Sequence, residues 1–536
     1  MKNALLFIIT ILIYHHLNAQ TVDTLNIKEV EISSSRVPVL FKETARVVTV
    51  IDRSEIENAP VQSLQELLEY VLNVDVRQYG NHGVLADISI RGGSFDQAVI
   101  LLNGVKVSDP QTGHHSLNIP VDLDNIKRIE ILEGPGSRIY GANAFSGAIN
   151  IITGSDKDKN VTASLSGGDF KLYNAKLEGT FNSEHIDNYL SLSRKGSSGY
   201  TENTDFKMNN AFYQTSFRSG LGDLKFLAGY NNKAFGAHNF YQWPGDLQFE
   251  KTKTSFANIR FSSGKKIKYN QNIYWRRHQD YYTTQRFDSL IKPNNHLTNI
   301  YGIDFNLNFQ SIFGLTAIGA EYRYETILSN VLGLTLGDTI PVPGEPNWIF
   351  THGAERENAG IFLEQVKYLN KFSISGGILA NWYSDYKWNF YPGLDLGYQI
   401  TKKIKLFSSI NKSLRLPSFT DLYYKGRFNN GNPDLLPEEA ISYEAGAKYF
   451  TTPIKGHVAI FRREGKNIID WVRLPDSLMW ESKNITELTT IGFEMSGNLN
   501  LQKIFKQDLV SNLIFTYSYI QTEKQSGEYI SKYALD

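Results

Sequence analysis

Tyr301-Gly302-Ile303-Asp304-Phe305-Asn306-Leu307-Asn308-Phe309 alternates without a break. Tyr301, Ile303, Phe305, Leu307 and Phe309 share one face, and Gly302, Asp304, Asn306 and Asn308 share the other. Successive side chains of a strand point to opposite faces, so this stretch is a strand with one apolar and one polar side. Residues 171–182 repeat the pattern, with Tyr173, Ala175, Leu177, Gly179 and Phe181 opposite Asn174, Lys176, Glu178 and Thr180. A soluble sandwich shows the same two-sided pattern, so length and number must decide. A tilted membrane strand needs ~9–11 residues, against ~5–6 in an ordinary globular sheet. From Asn160 to the end about seventeen such segments recur, more than a sandwich uses.

The connections sharpen the reading. Short ones fall at residues 182–187, 219–223, 264–266, 311–314, 370–371 and 401–403. Long ones alternate with them at 195–207, 232–252, 285–296, 329–355 and 417–439. Short turns on one side and long loops on the other mark an outer-membrane barrel. Only helices and closed barrels satisfy every backbone polar group in lipid. Trp275, Tyr281, Tyr282, Trp382, Tyr383, Trp388, Tyr423 and Tyr424 gather near strand ends, consistent with interfacial girdles.

Composition agrees. The 536 residues carry 55 Lys+Arg against 55 Asp+Glu, so no basic footprint argues for nucleic acid. A mean hydropathy of −0.31 excludes a polytopic helical membrane protein. The absence of cysteine excludes disulfide scaffolds, thiolate metal sites and cysteine nucleophiles. No His-Glu-x-x-His, Gly-x-Ser-x-Gly or phosphate-loop pattern occurs, and acidic residues do not fall at calcium-loop spacing. No enzyme, resident metal or cofactor is expected.

The chain opens with Lys2, an apolar run over residues 4–14 and Ala19 before Gln20, an export signal over residues 1–19. The apolar run would span only about 16 Å as a helix, too short to cross a bilayer. Residues 37–155 read as a mixed α/β domain, and 160–536 as the barrel. Ser54 and Glu57 form an expected capping box, and Ser63 before Glu66 a second N-cap. Leu64, Leu67, Leu68 and Val71 make one helical stripe. Strands are expected at 87–91, 99–102, 105–107, 127–132 and 148–153, with Asn103-Gly104 as a hairpin turn. A wide barrel is an open pore unless filled, and this N-terminal domain is the natural filler.

Several runs in this domain resemble the plug of TonB-dependent outer-membrane receptors. They are Ile88-Ser89-Ile90-Arg91-Gly92, Leu102-Asn103-Gly104-Val105, and Ile129-Glu130-Ile131-Leu132-Glu133-Gly134-Pro135 through Tyr140-Gly141 to residues 147–153. Arg415-Leu416-Pro417-Ser418, Asp421-Leu422-Tyr423 and Gly431-Asn432-Pro433-Asp434-Leu435 are similar to the family's mid-barrel signature. The resemblance implies a monomeric, mainly β fold: an antiparallel 22-stranded-type transmembrane barrel in the outer membrane, with the α+β plug in its lumen. Such a barrel would need roughly a hundred residues beyond Asp536, so an unclosed wall truncated to about seventeen strands is expected.

Further expectations follow from the same resemblance. A TonB box in the 20–36 region corresponds to Ile27, Lys28, Glu29, Val30, Glu31, Ile32 and Ser33, which could add as a strand to TonB of the inner-membrane energising complex. An ordinary edge strand is the alternative. Plug arginines of the family pair with barrel glutamates; Arg91 matches the first, with Glu438 and Glu444 as barrel partners. Glu133 replaces the second arginine, leaving Arg128 and Arg138 as candidates. The implied ligand is a large scarce nutrient, cobalamin first and a ferric siderophore or haem second. A passive porin with a periplasmic domain is the rival reading. His114 and His115 either contact the ligand, including a haem iron or other metal centre, or belong to a polar loop. His238, Tyr241 and Trp243 are further candidates in an aromatic loop.

Overall fold

The computed structural model describes residues 31–32, 36–37, 39–40, 43–154, 159–241, 247–426, 428–485, 487–507, 510, 512–524 and 529–532. The export segment, Ile27, Lys28, Glu29, Val30, Ser33 and Trp243 lie outside the described residues.

The alternating segments pair in chain order into an 18-stranded antiparallel sheet, from Lys159–Gly168 to Asn512–Lys524. Its first strands are short, 10 residues for Lys159–Gly168 and 11 for Leu172–Asn182. They lengthen to 17 for Ile267–Thr283, 18 for Asn294–Ser311 and 21 for Ile349–Leu369. Leu334–Pro341 belongs to the long connection before Ile349–Leu369 and pairs with that strand's first residues. Among the described residues, Lys159–Gly168 pairs only with Leu172–Asn182, and Asn512–Lys524 only with Leu488–Asn500.

Burial follows the period of the sequence. Tyr301 and Ile303 are 48% and 40% exposed, whereas Asn308 is buried and Asp304 accepts a 2.9 Å hydrogen bond from Asn272 inside. Leu177, Phe181, Leu363, Ile378, Phe390 and Leu396 continue the exposed apolar side around the wall. A belt of that extent would drive association in water, and around a barrel it is the lipid-facing band. No helix among the described residues is long and apolar enough to cross a membrane. The wall spans by strands.

The plug is built on a five-stranded sheet in the order Val48–Asp52, Ile126–Glu133, Gly147–Thr153, Ala98–Leu102, Val105–Lys106. The pairing of Ala98–Leu102 with Gly147–Thr153 is parallel, and the others are antiparallel. Asn103 and Gly104 have φ of 52° and 85°, the left-handed pair that a two-residue hairpin turn requires. Val74–Gln78 and Ala86–Ile90 form a separate ribbon. Ser63 caps the helix Leu64–Leu68 by accepting from the Glu66 amide, as expected. The preceding helix, Arg53–Asn58, corrects the sequence reading. Its capping box is Asp52 with Glu55, because the strand Val48–Asp52 runs directly into the helix and leaves Asp52 extended. Ser54 Oγ donates to the Asp52 carboxylate at 2.7 Å instead.

The plug core does not end at the plug. Leu64, Leu67, Leu68, Ile88, Ile119 and Val121 share one buried apolar cluster with Tyr189, Phe212, Leu227, Phe256, Tyr274 and Ile300 of the wall. The filler sits inside the barrel.

The ribbon and the main plug sheet meet at a glycine. A Cβ on Gly147 would lie 2.6 Å from Ile90 Cδ1 and 2.7 Å from the Leu132 carbonyl oxygen. Gly147→Val should therefore destabilise the plug by about 1–3 kcal/mol. The measurement is limited proteolysis in detergent: plug fragments should appear sooner while the barrel stays resistant. Unchanged cleavage would show that the two layers separate without cost.

Candidate functional site

Charged side chains of the plug face the inward polar side of the wall, and three groups of them are candidates for function. The first centres on Arg91, at the end of the strand Ala86–Ile90. A φ of 49°, followed by Gly92 at 66°, turns the chain there toward the wall. Its guanidinium is 2% exposed and meets Glu444 through Nη1 and Nη2, both at 3.2 Å. It also meets Glu494 through Nε at 3.0 Å and through Nη2, with the Phe461 ring 4.6 Å away. The two carboxylates outweigh the effect of burial and hold Arg91 charged. Glu133, in the place of the second plug arginine, accepts from Thr49 Oγ1 at 2.8 Å and Asn73 Nδ2 at 3.2 Å. Burial and nearby Glu494 push its carboxyl above the usual carboxylate range.

Glu494 was absent from the sequence expectations, although its signal is present. Thr490, Gly492, Glu494 and Ser496 form the inward face of Leu488–Asn500, and Glu494 is the one acid on it. Glu438 is a correction. Its ion pair is with Arg415 of the neighbouring wall strand at 2.9 Å, its register partner, rather than with a plug arginine. The plug reaches this pair through Gln97, which donates to Glu438 at 2.6 Å, and Asp96, 2.9 Å from Arg415. Arg128 makes an ion pair with Glu130, two residues on along the same face of Ile126–Glu133, at 2.8 Å. In the second group Arg138 does face the wall, meeting Asp395 at 2.6 Å and Glu364 at 3.2 Å.

The third group lies toward the long loops. His114 and His115 occupy a single 3-10 turn, Gly113–His115. They separate in role. His114 Nδ1 meets Asp87 Oδ1 at 2.6 Å and stacks on Phe95, with Tyr79 and Tyr241 edge-on. Burial opposes its charge, yet Asp87 raises its pKa. His115 is buried between Asp280, 3.6 Å from Nε2, and Glu250, 3.9 Å from Nδ1. Burial alone would strip its proton, but these carboxylates and Asp109 raise its pKa to about 9. Asp109 is itself bound by Arg276 at 2.6 Å, which overcomes burial and holds it at about 2. Tyr241 donates to Glu250 at 2.9 Å, whereas His238 is exposed and contacts Asn239. A cavity of about 290 Å³ opens nearby, lined by Tyr79, His82, Phe170, Tyr200, His238 and Phe240. It offers aromatic faces with few charges, suited to a ligand of mixed polarity.

Removing Arg91 leaves two buried carboxylates uncompensated. Arg91→Ala should cost about 3–5 kcal/mol of plug docking. Adding Glu494→Gln should restore part of that loss, since it removes one stranded charge. Urea titration monitored by plug proteolysis gives both values, and equal costs for the single and double variants would contradict the pairing.

Residues 139–535 match the family described as TonB dependent receptor-like, beta-barrel, and residues 40–148 match the TonB-dependent Receptor Plug Domain. A vitamin B12 transporter BtuB from Vibrio vulnificus (strain CMCP6) is 26% identical over 515 residues, covering 90% of this chain and 77% of the relative. One from Photobacterium profundum is 21% identical, covering 87% and 75%. Among solved structures, the ferric citrate transporter FecA superimposes with a TM-score of 0.71 at 15% identity, covering 90% of this chain and 79% of that one. The ferric enterobactin receptor PfeA of Pseudomonas aeruginosa gives 0.70 at 16% identity, covering 91% and 81%. These two share the fold. With a plug seated inside a lipid-facing strand wall and both halves matched, the chain belongs to the TonB-dependent receptors of the bacterial outer membrane.

Proposed function

We propose that this receptor imports cobalamin across the outer membrane, energised by TonB. The observation that carries the reading is the sequence likeness to vitamin B12 transporters, which extends over 87–90% of the chain and so includes plug, wall and loops. The aromatic cavity on the long-loop side offers ring faces and polar edges to one part of such a ligand. Cobalamin would rest there against Tyr79, Phe240 and the plug loop that carries His114.

Coupling falls to Ile27, Lys28, Glu29, Val30, Glu31, Ile32 and Ser33. Of these, Glu31–Ile32 lies in a short antiparallel pairing with Val39–Leu40. Two residue pairs make a weak ladder, so a partner strand can replace Val39–Leu40 and gain the same backbone hydrogen bonds. Tension along the chain would then reach the plug sheet at Val48–Asp52. The buried pairs of Arg91 and Arg138 resist that tension until force shifts the plug.

The test uses a cobalamin-auxotrophic strain lacking its own receptor. The full chain should restore growth on limiting cobalamin, and deletion of residues 27–33 should abolish uptake while leaving cobalamin binding to whole cells intact. Uptake that persists without that segment would indicate a passive porin. Growth restored by a ferric siderophore or haem and not by cobalamin would move the substrate to an iron chelate.

A further inference from the structure

We propose that a divalent transition-metal ion of the zinc class binds where the His114–His115 turn of the plug meets the wall, held by His115, Glu250 and Asp280. The three residues come from separate elements: the turn Gly113–His115, the strand Phe249–Ser263 and the strand Ile267–Thr283. One ligand atom from each lies within 4.8 Å of the others, and all three side chains are at least nine-tenths buried. Ligands about 2.0–2.2 Å from a tetrahedral ion stand ~3.4 Å apart, so atoms within 4.8 Å of one another would draw together on binding.

The unpaired atoms point to a ligand. Glu250 Oε1 and Asp280 Oδ1 are buried without a hydrogen-bond partner. Their other oxygens are held, Glu250 Oε2 by the Tyr241 hydroxyl at 2.9 Å and Asp280 Oδ2 by Gln111 Nε2 at 3.3 Å. Carboxylates fixed by one oxygen with the other free are oriented as metal ligands usually are. His278 lies alongside the cluster. Its ring centroid is 4.7 Å from that of His115, its Nδ1 is engaged with Thr254 Oγ1 at 2.8 Å, and its buried Nε2 is unpartnered.

Charge balance favours an ion. Among the described residues, the ion pairs of Glu250 and Asp280 are both with His115, while Arg276 is engaged by Asp109. Two buried carboxylates share this one imidazole, and a dication held by the neutral ring would match both carboxylates. The other carboxylate–histidine cluster, Glu133, His457 and Glu494, differs in already having the Arg91 guanidinium on Glu494. The donor set selects the ion class, since imidazole with carboxylate suits zinc and its neighbours, whereas calcium takes oxygen ligands. Bound there, the ion would fasten the plug turn to two wall strands, independently of which nutrient the receptor carries.

The experiment uses the full-length receptor purified in detergent, stripped with chelator and free of any histidine tag. Calorimetry with Zn²⁺ should give one saturable equivalent, and Co²⁺ should give the visible absorption of a tetrahedral nitrogen–oxygen site, discharged by Zn²⁺. Glu250→Gln and Asp280→Asn should each weaken binding at least about tenfold. His185→Gln, at an exposed turn histidine, should leave it unchanged. Failure of the wild type to saturate with Zn²⁺, or wild-type affinity in Glu250→Gln, would overturn the site. If neither carboxylate variant folds, the Co²⁺ spectrum of the wild type decides, with an octahedral or absent spectrum counting against it.

Discussion

In hydrocarbon an amide that lacks a partner has no water to turn to, and this requirement shapes the whole chain. It forces the wall segments, from Lys159–Gly168 to Asn512–Lys524, into strands paired side by side, and it sends apolar side chains outward. The same alternation sends every second residue inward, where lipid is absent and charge is tolerated. Arg276, His278 and Asp280 lie on the inner side of one strand, while Ile273 of the same strand faces outward. The interior of the wall is therefore polar by construction. A filler for it must bring complementary charges.

The plug meets that demand with a mixed interface. Its apolar cluster extends onto wall aromatics, and its charged residues are met by wall carboxylates and bases. Backbone groups join in as well: Lys233 donates to the Gly83 and Val84 carbonyls, and Arg323 to those of Lys106 and Ser108. Such buried pairs contribute little net stability compared with apolar contacts of equal volume. Their use lies in specificity, because each is correct in only one seating of the plug.

Much of this was legible in the sequence, for a physical reason. Period-2 alternation is local, so the wall strands and their outward faces follow from Tyr301–Phe309 and its repeats without knowledge of partners. The Asn103-Gly104 turn and the Ser63 cap are equally local. Errors arose where the answer depended on neighbours across space. Whether Glu438 pairs with a plug arginine or with Arg415 is set by strand register, and a register is not written in either strand alone. The same holds for Glu250 and Asp280, which are brought together diagonally across two strands whose register pairs Thr252 with Asp280. The helix cap moved from Ser54 to Asp52 because the preceding strand ends at Asp52 itself and the helix starts at once.

The lengthening of the wall strands has a consequence for recognition. At ~3.3 Å per residue and a tilt near 45°, a 21-residue strand climbs ~49 Å, well past a ~30 Å hydrocarbon layer. The wall thus continues into the aqueous exterior as paired ribbon on one side of the mouth and stays low on the other. Side chains carried on that tall parapet are held by ladder hydrogen bonds before any solute arrives. A solute meeting them loses less affinity to ordering the protein than it would on free loops.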